Sequence, residues 1–112
     1  MKLITAIIRP EHLDVVREAL LQADIDRITV SRCTGHGQAS SETELYRGKK
    51  ITPDLIAKTK IDIVVNDVFV KPAVDAIVSA ARTGMVGDGK IIVSPIDEVY
   101  RIRTGESGGE AV

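Results

Sequence analysis

Near the C-terminal end, a glycine-rich stretch and a pair of arginines have the residue types that hold anions. The stretch TGMVGDGKI, Thr83 to Ile91, nearly matches the phosphate-loop pattern G-x-x-x-x-G-K-[ST], with Gly84, Gly89 and Lys90 in place. The next residue should be a Mg²⁺-binding Ser or Thr and is Ile91. A phosphate-loop lysine also sits where a strand hands over to a helix, whose N-terminus receives the anion. Here a helical pattern ends near Ala81 and Lys90 opens a strand pattern, so the direction is reversed. Two readings remain. One is a helix C-cap at Gly84 and a turn at Gly87-Asp88-Gly89. The other is a phosphate cradle of turn amides, since glycines let backbone N–H groups approach a ligand closely.

Arg101-Ile-Arg103 weighs toward the cradle. In an extended segment its two guanidiniums share one face, and bidentate guanidiniums suit phosphate oxygens. Lys90 and Lys58 add positive charge. A solvated strand edge is the alternative for the arginines until they converge in space. Asp88 is the nearest carboxylate, and in a GDG turn it is expected to accept an Asx-type backbone hydrogen bond. No nucleophile, base and acid converge, so no catalytic residue is assigned and efficient turnover is not expected. Cys33 and the two histidines form no recognisable metal-ligand set.

Positioning these residues requires strands and helices. Lys2 to Ile8 is apolar and β-branched, a buried strand that Pro10 ends. Leu13, Val16, Ala19, Leu20 and Ala23 recur at helical spacing, which predicts a helix over Glu11 to Ala23. Arg27 to Thr34, Thr59 to Asn66 and Lys90 to Ser94 read as strands, and Val99 to Arg103 is a candidate fifth. Val70, Val74, Ile77 and Ala81 mark a second helix, and the tail from Gly105 to Val112 reads as frayed. Gly35 to Asp54, about 20 residues with few apolar anchors, is long for a connection in a small domain, and such loops are usually functional or disordered. The order β-α-β, long loop, β-α-β carries a faint internal repeat, Ile7-Ile8 with Leu13 and Leu20 against Val64-Val65 with Val70 and Ile77. It predicts an α+β, ferredoxin-like split βαβ (βαββαβ) domain over residues 1–112. Both faces of the first strand are largely apolar, while two helices cover only one face, so burial against further copies is expected.

The 112 residues are 44% apolar and 28% charged with a net charge of -1, which points to one globular domain and no basic field for nucleic acid. No run is long and apolar enough to span a bilayer, and no signal-peptide layout opens the chain. A single cysteine fits a reducing, cytoplasmic setting.

Together these stretches resemble the PII nitrogen regulatory signal-transduction proteins. The likeness is carried by Ala6-Ile-Ile-Arg-Pro10 with Leu13-Asp14, Val16-Arg-Glu-Ala-Leu20, Thr43-Glu-Leu-Tyr-Arg-Gly48, Lys58, Thr83-Gly84 with Gly87-Asp-Gly-Lys-Ile91, and Arg101-Ile-Arg-Thr-Gly105. It implies a homotrimer in which ATP and ADP compete for clefts between subunits. Residues 82–90 are then the B-loop, 101–112 the C-loop and tail, and 36–54 the T-loop that docks onto protein targets such as an ammonium transporter or a nitrogen-metabolism enzyme. The resemblance implies that Gly87, Asp88, Gly89 and Lys90 cradle phosphates, with Arg101 and Arg103 reaching in from the neighbour. Thr29 and Val64 border the adenine, and Gly35, Gly37 and Gln38 line the T-loop base. Mg²⁺ is held through the phosphates, Lys58 contacts 2-oxoglutarate, and Tyr46 and Arg47 face targets.

The departures fall in the T-loop. Gln38-Ala39 stands where the family usually has Arg-Gln, whose glutamine helps hold the Mg²⁺ bridging ATP and 2-oxoglutarate. Ala39 has no side-chain oxygen to do so, which puts 2-oxoglutarate sensing in question, Gln38 serving only if the backbone shifts. His36 replaces a usual phenylalanine. Ile51 replaces the uridylylated tyrosine and Lys49 a serine phosphorylated in some relatives, so no covalent switch is expected at either. The alternative within the same fold is a PII-like adenine-nucleotide sensor with another input, for example from carbon metabolism.

Overall fold

The computed structural model describes residues 1–36, 44–46, 49–51 and 55–112. Strand β1 (Lys2–Ile8) leads through a 3₁₀ turn at Pro10–His12 to helix α1 (Leu13–Gln22) and strand β2 (Thr29–Gly35). A short antiparallel pair follows, β3 (Glu44–Tyr46) and β4 (Lys49–Ile51). Then come β5 (Ile56–Val65), a 3₁₀ turn at Asp67–Phe69, α2 (Val70–Ala81) and β6 (Gly89–Pro95). The main sheet has the order β2-β5-β1-β6 with every pair antiparallel. The first strands of the two β-α-β halves, β1 and β5, are therefore the centre, and each half closes on an edge. This interleaving is the ferredoxin-like split βαβ arrangement.

Period-two alternation sorts the strands onto two faces. Ile4, Ala6 and Ile8 of β1 and Ile61, Ile63 and Val65 of β5 are buried beneath Val16 and Leu20 of α1 and Ala73, Ile77 and Ala81 of α2. Both helices pack on this one face. The other face carries Leu3, Thr5 and Ile7 of β1, Lys58, Lys60, Asp62 and Val64 of β5, and Lys90, Ile92 and Ser94 of β6. No element of the chain covers it among the described residues, and Ile92 is left 47% exposed. On that face the Thr5 hydroxyl donates to Asp62 at 2.6 Å, and Lys60 lies 3.7 Å from the same carboxylate.

Several boundaries differ from the sequence reading. β2 starts at Thr29, two residues late, because Asp26 to Ile28 are still crossing from the helix layer to the sheet edge. β5 starts at Ile56, since Ile56 to Lys58 pair with Cys33 to Gly35 although their composition is mixed. Val99 to Arg103 is not a fifth strand. Tyr100 makes one isolated bridge to Ser107, and the Gly105 N–H closes a turn on the Arg101 carbonyl at 2.7 Å. The tail is not frayed. It doubles back through Arg101 N–H to Glu106 O at 2.8 Å and Gly108 N–H to Val99 O at 3.0 Å, and ends in a 3₁₀ turn at Gly108–Ala111.

Candidate functional site

The glycine loop joins α2 to β6. Gly84 is not a helix C-cap: α2 already ends at Ala81, and Arg82 is extended (φ −76°, ψ 125°). The turn lies earlier than Gly87-Asp88-Gly89. The Asp88 N–H points to the Met85 carbonyl at 3.4 Å, and Gly87 takes φ +101° at the third position, where a type II turn requires it. Gly89 is glycine for a second reason. A Cβ there would stand 1.8 Å from the Ile7 carbonyl oxygen, because the strand pairing lays Gly89 against β1. Lys90, the next residue, opens on the uncovered face beside Ile7.

Asp88 holds the loop rather than facing outward. Its carboxylate accepts the Thr83 N–H at 2.8 Å, the Gly84 N–H at 2.9 Å and the Thr83 hydroxyl. Asp88 thus accepts backbone hydrogen bonds as expected, and because they reach back along the chain they staple the loop. Thr83 in turn accepts the Met85 N–H at 3.1 Å. The Thr83 hydroxyl and N–H, helped by the Gly84 N–H and Arg9, hold the Asp88 carboxyl down to about 2. A depressed folded-state value means that the staple is complete above the ordinary carboxylate range and is lost as pH falls through the folded value. Denaturant melts should therefore show Asp88→Asn less stable than the parent near neutral pH. The gap should close between roughly pH 4 and pH 2. A gap independent of pH would show that the carboxylate charge contributes nothing to the loop.

Two cations grip the loop from below. Arg9, just past the end of β1, donates from Nη2 to the Val86 carbonyl at 2.7 Å, and its Nε lies 3.6 Å from Asp88 Oδ1. Lys58, near the start of β5, donates from Nζ to the Gly87 carbonyl at 3.0 Å. The sequence reading passed over Arg9 and Thr83 except as parts of longer motifs. The available signal was an arginine directly after an apolar strand, at the strand end that pairing brings to the glycines.

The arginines lie elsewhere. The C-terminal segment leaves β6 where Pro95 pairs with Lys2, whereas the glycine loop enters it where Gly89 pairs with Ile8. Those positions are separated by the length of β1, roughly 20 Å. Arg101 is held at the far end, its Nη2 donating to the Glu110 carbonyl at 3.0 Å and its Nη1 3.6 Å from Glu106 Oε1. Arg101, Val64, Asn66, Arg27 and the terminal Val112 line one cavity of about 390 Å³. Arg103 is exposed in the same turn. Thr29 opens β2 two residues after Arg27, whose guanidinium bonds the Val112 carbonyl oxygen at 3.1 Å. Within one chain the expected site residues thus form two groups. Gly35, Lys58, Gly87, Asp88, Gly89 and Lys90 lie toward one end of the sheet. Val64, Arg101 and Arg103 lie toward the other, with Thr29 between them. Gly37, Gln38, Ala39 and Arg47 lie outside the described residues, as do the side chains of Tyr46, Lys49 and Ile51.

Residues 1–106 match the family model for nitrogen regulatory protein P-II. The chain belongs to the P-II family. Relatives named nitrogen regulatory protein P-II are similar over all 112 residues of both chains: 51% identical in Azospirillum brasilense, and 52% in Mesorhizobium japonicum and in Synechocystis. P-II membership makes this a signal-transduction protein with a regulatory role tied to nitrogen metabolism, and not an enzyme. Effector nucleotides, oligomeric assembly and signalling through protein targets are general P-II traits. Among the described residues, no helix is long and apolar enough to cross a membrane.

Proposed function

We propose that this P-II chain works as a cytoplasmic homotrimer that binds ATP and ADP at the seams between adjacent subunits. The observation that carries this reading is the separation of the two site halves by the length of β1. Charges roughly 20 Å apart cannot grip one polyphosphate, but a head-to-tail neighbour brings the far end of its own sheet to the glycine loop. In this reading one subunit supplies Gly35, Gly37, Gln38, Gly87, Gly89 and Lys90, with Asp88 bracing the loop. The next supplies Thr29, Val64, Arg101 and Arg103. The uncovered face, with Leu3, Ile7, Val64 and Ile92, supplies the apolar surface that association buries. The loop suits the ligand: glycine amides admit close approach of an anion, and Lys90 is exposed beside them. Mg²⁺ enters with the phosphates and has no protein side chain assigned to it.

The output is the T-loop, residues 36–54, with Tyr46 and Arg47 meeting an ammonium transporter or a nitrogen-metabolism enzyme. A nucleotide acts by favouring those loop conformers that it contacts. The input in this reading is the ATP/ADP balance rather than 2-oxoglutarate. Two observations support that restriction: Ala39 offers Mg²⁺ no side-chain oxygen, and the Lys58 ammonium already has the Gly87 carbonyl at 3.0 Å. Calorimetry tests it. ATP and ADP should each bind a species of about three times the chain mass. 2-Oxoglutarate added to the ATP-loaded protein should give no heat with or without Mg²⁺. A stable monomer, or silence toward both nucleotides, overturns the reading, and a Mg²⁺-dependent 2-oxoglutarate response restores the carbon input.

A further inference from the structure

We propose that Arg9 is a positioning residue for anion binding: it sets the direction of the Val86–Gly87 peptide, and so presents the Gly87 N–H to the ligand. The inference rests on the phosphate cradle proposed above and goes one step further, to what aims it. Across a trans peptide the carbonyl and the following N–H point in opposite directions. No cis peptide is present among the described residues. Arg9 Nη2 holds the Val86 carbonyl at 2.7 Å, so the Gly87 N–H points away from Arg9. No acceptor faces that N–H among the described residues. A donor that points away from Arg9 and has no partner among the described residues, one turn from an exposed lysine, is the element that a phosphate oxygen completes.

The Arg9 side chain is only 15% exposed, and its guanidinium packs flat enough on Gly87 that a Cβ there would meet Nη2 at 2.9 Å. Its Nε faces the Asp88 carboxylate, which is itself fixed by Thr83 and Gly84. Arg9 is thus braced on one side by the staple and grips the turn on the other. Its Nη2 and Nε face the loop itself, whereas Lys90 is exposed. Without this grip, the Val86–Gly87 peptide can rotate and turn its carbonyl oxygen toward the phosphates, replacing a donor by an acceptor at the same place. Glycine at 87, which tolerates either sign of φ, makes that rotation cheap.

The test compares Arg9→Met, which keeps the bulk and removes the donors, with Arg9→Lys, which keeps a cationic donor group. Each is titrated with ATP and with adenosine alongside the parent, after its mass and melting temperature are checked. ATP affinity should fall about tenfold in Arg9→Met, the effect of one misaimed hydrogen bond to a charged group, and recover at least in part in Arg9→Lys. Adenosine affinity should not change, and the Gly87 amide resonance should lose its response to ATP in Arg9→Met alone. Should Arg9→Met misfold, Arg9→Lys and the Gly87 resonance of the parent still decide. If the parent binds ATP and the Arg9 variants match it, or lose adenosine equally, Arg9 positions nothing. If the parent ignores ATP, the cradle itself fails and this role goes with it.

Discussion

Chains carrying Lys90→Ala, mixed with chains carrying Arg103→Ala, are expected to regain a nucleotide affinity that neither has alone. Each substitution removes one charge-assisted contact to phosphate, worth about 1.5–3 kcal/mol, so each homotrimer should bind ATP roughly 10- to 150-fold more weakly. The position of the two residues at opposite ends of one sheet makes the mixing result specific. In a head-to-tail ring of three, every mixed ring has one seam where an intact Lys90 meets an intact Arg103. Random mixing makes about three quarters of rings mixed, so about one quarter of all seams recover full affinity. Co-refolding differently tagged chains and titrating the mixed fraction measures this. If Lys90 and Arg103 served the same site from one chain, every site in every mixture would keep its defect. No recovery would therefore overturn the shared seam while leaving nucleotide binding itself intact.

The parts of this arrangement that are local in sequence were legible in it. Both helices, the central strands and the failure of the phosphate-loop reading follow from periodicity and from Ile91, because each depends on residues within a turn or a strand of one another. The apolar outer face of β1 foretold an uncovered sheet face for the same reason. The direction of the Asp88 hydrogen bonds and the role of Arg9 were not legible. Asp88 bonds backward to Thr83 and Gly84, and whether a carboxylate bonds forward or backward in a glycine turn depends on φ values that glycine leaves open. Arg9 reaches Val86 across 77 positions, a contact that only the β1–β6 register creates. The tail was misread because Arg101-Ile-Arg103 has the alternation of a strand. Its turn is fixed by the backbone bonds of Arg101 to Gly105 and Glu106, which leave Ile102 100% exposed. Lys90 and the arginines, read from the sequence as one basic cluster, do not meet within one chain.

Gly89→Ala should be the most damaging small substitution in the glycine loop, and Gly84→Ala shows why. Both glycines have positive φ, +105° and +86°. An alanine at either position carries left-handed strain of about 1 kcal/mol. At Gly84 nothing lies within 4 Å of the added Cβ, so that strain is the whole effect. At Gly89 the Cβ would stand 1.8 Å from the Ile7 carbonyl oxygen and 3.2 Å from Ile8 Cα, both backbone atoms of the central strand. No side-chain rotation relieves such an overlap, so β6 must move off β1 or the loop must unwind, a loss of roughly 3 kcal/mol or more. In a domain of this size that lowers the melting temperature by about 15 °C, against about 5 °C for Gly84→Ala. Thermal melts at equal chain concentration decide it, the concentration being held fixed because assembly contributes to stability. The consequence reaches the site. The same Ile8–Gly89 pairing puts Lys90 on the uncovered face, and a slip of one residue would turn it under the helices. If Gly89→Ala proved no worse than Gly84→Ala, the register would be wrong and Lys90 would not face the seam. A large drop confined to Gly89 ties the lysine's direction to a contact between two backbones that only glycine permits.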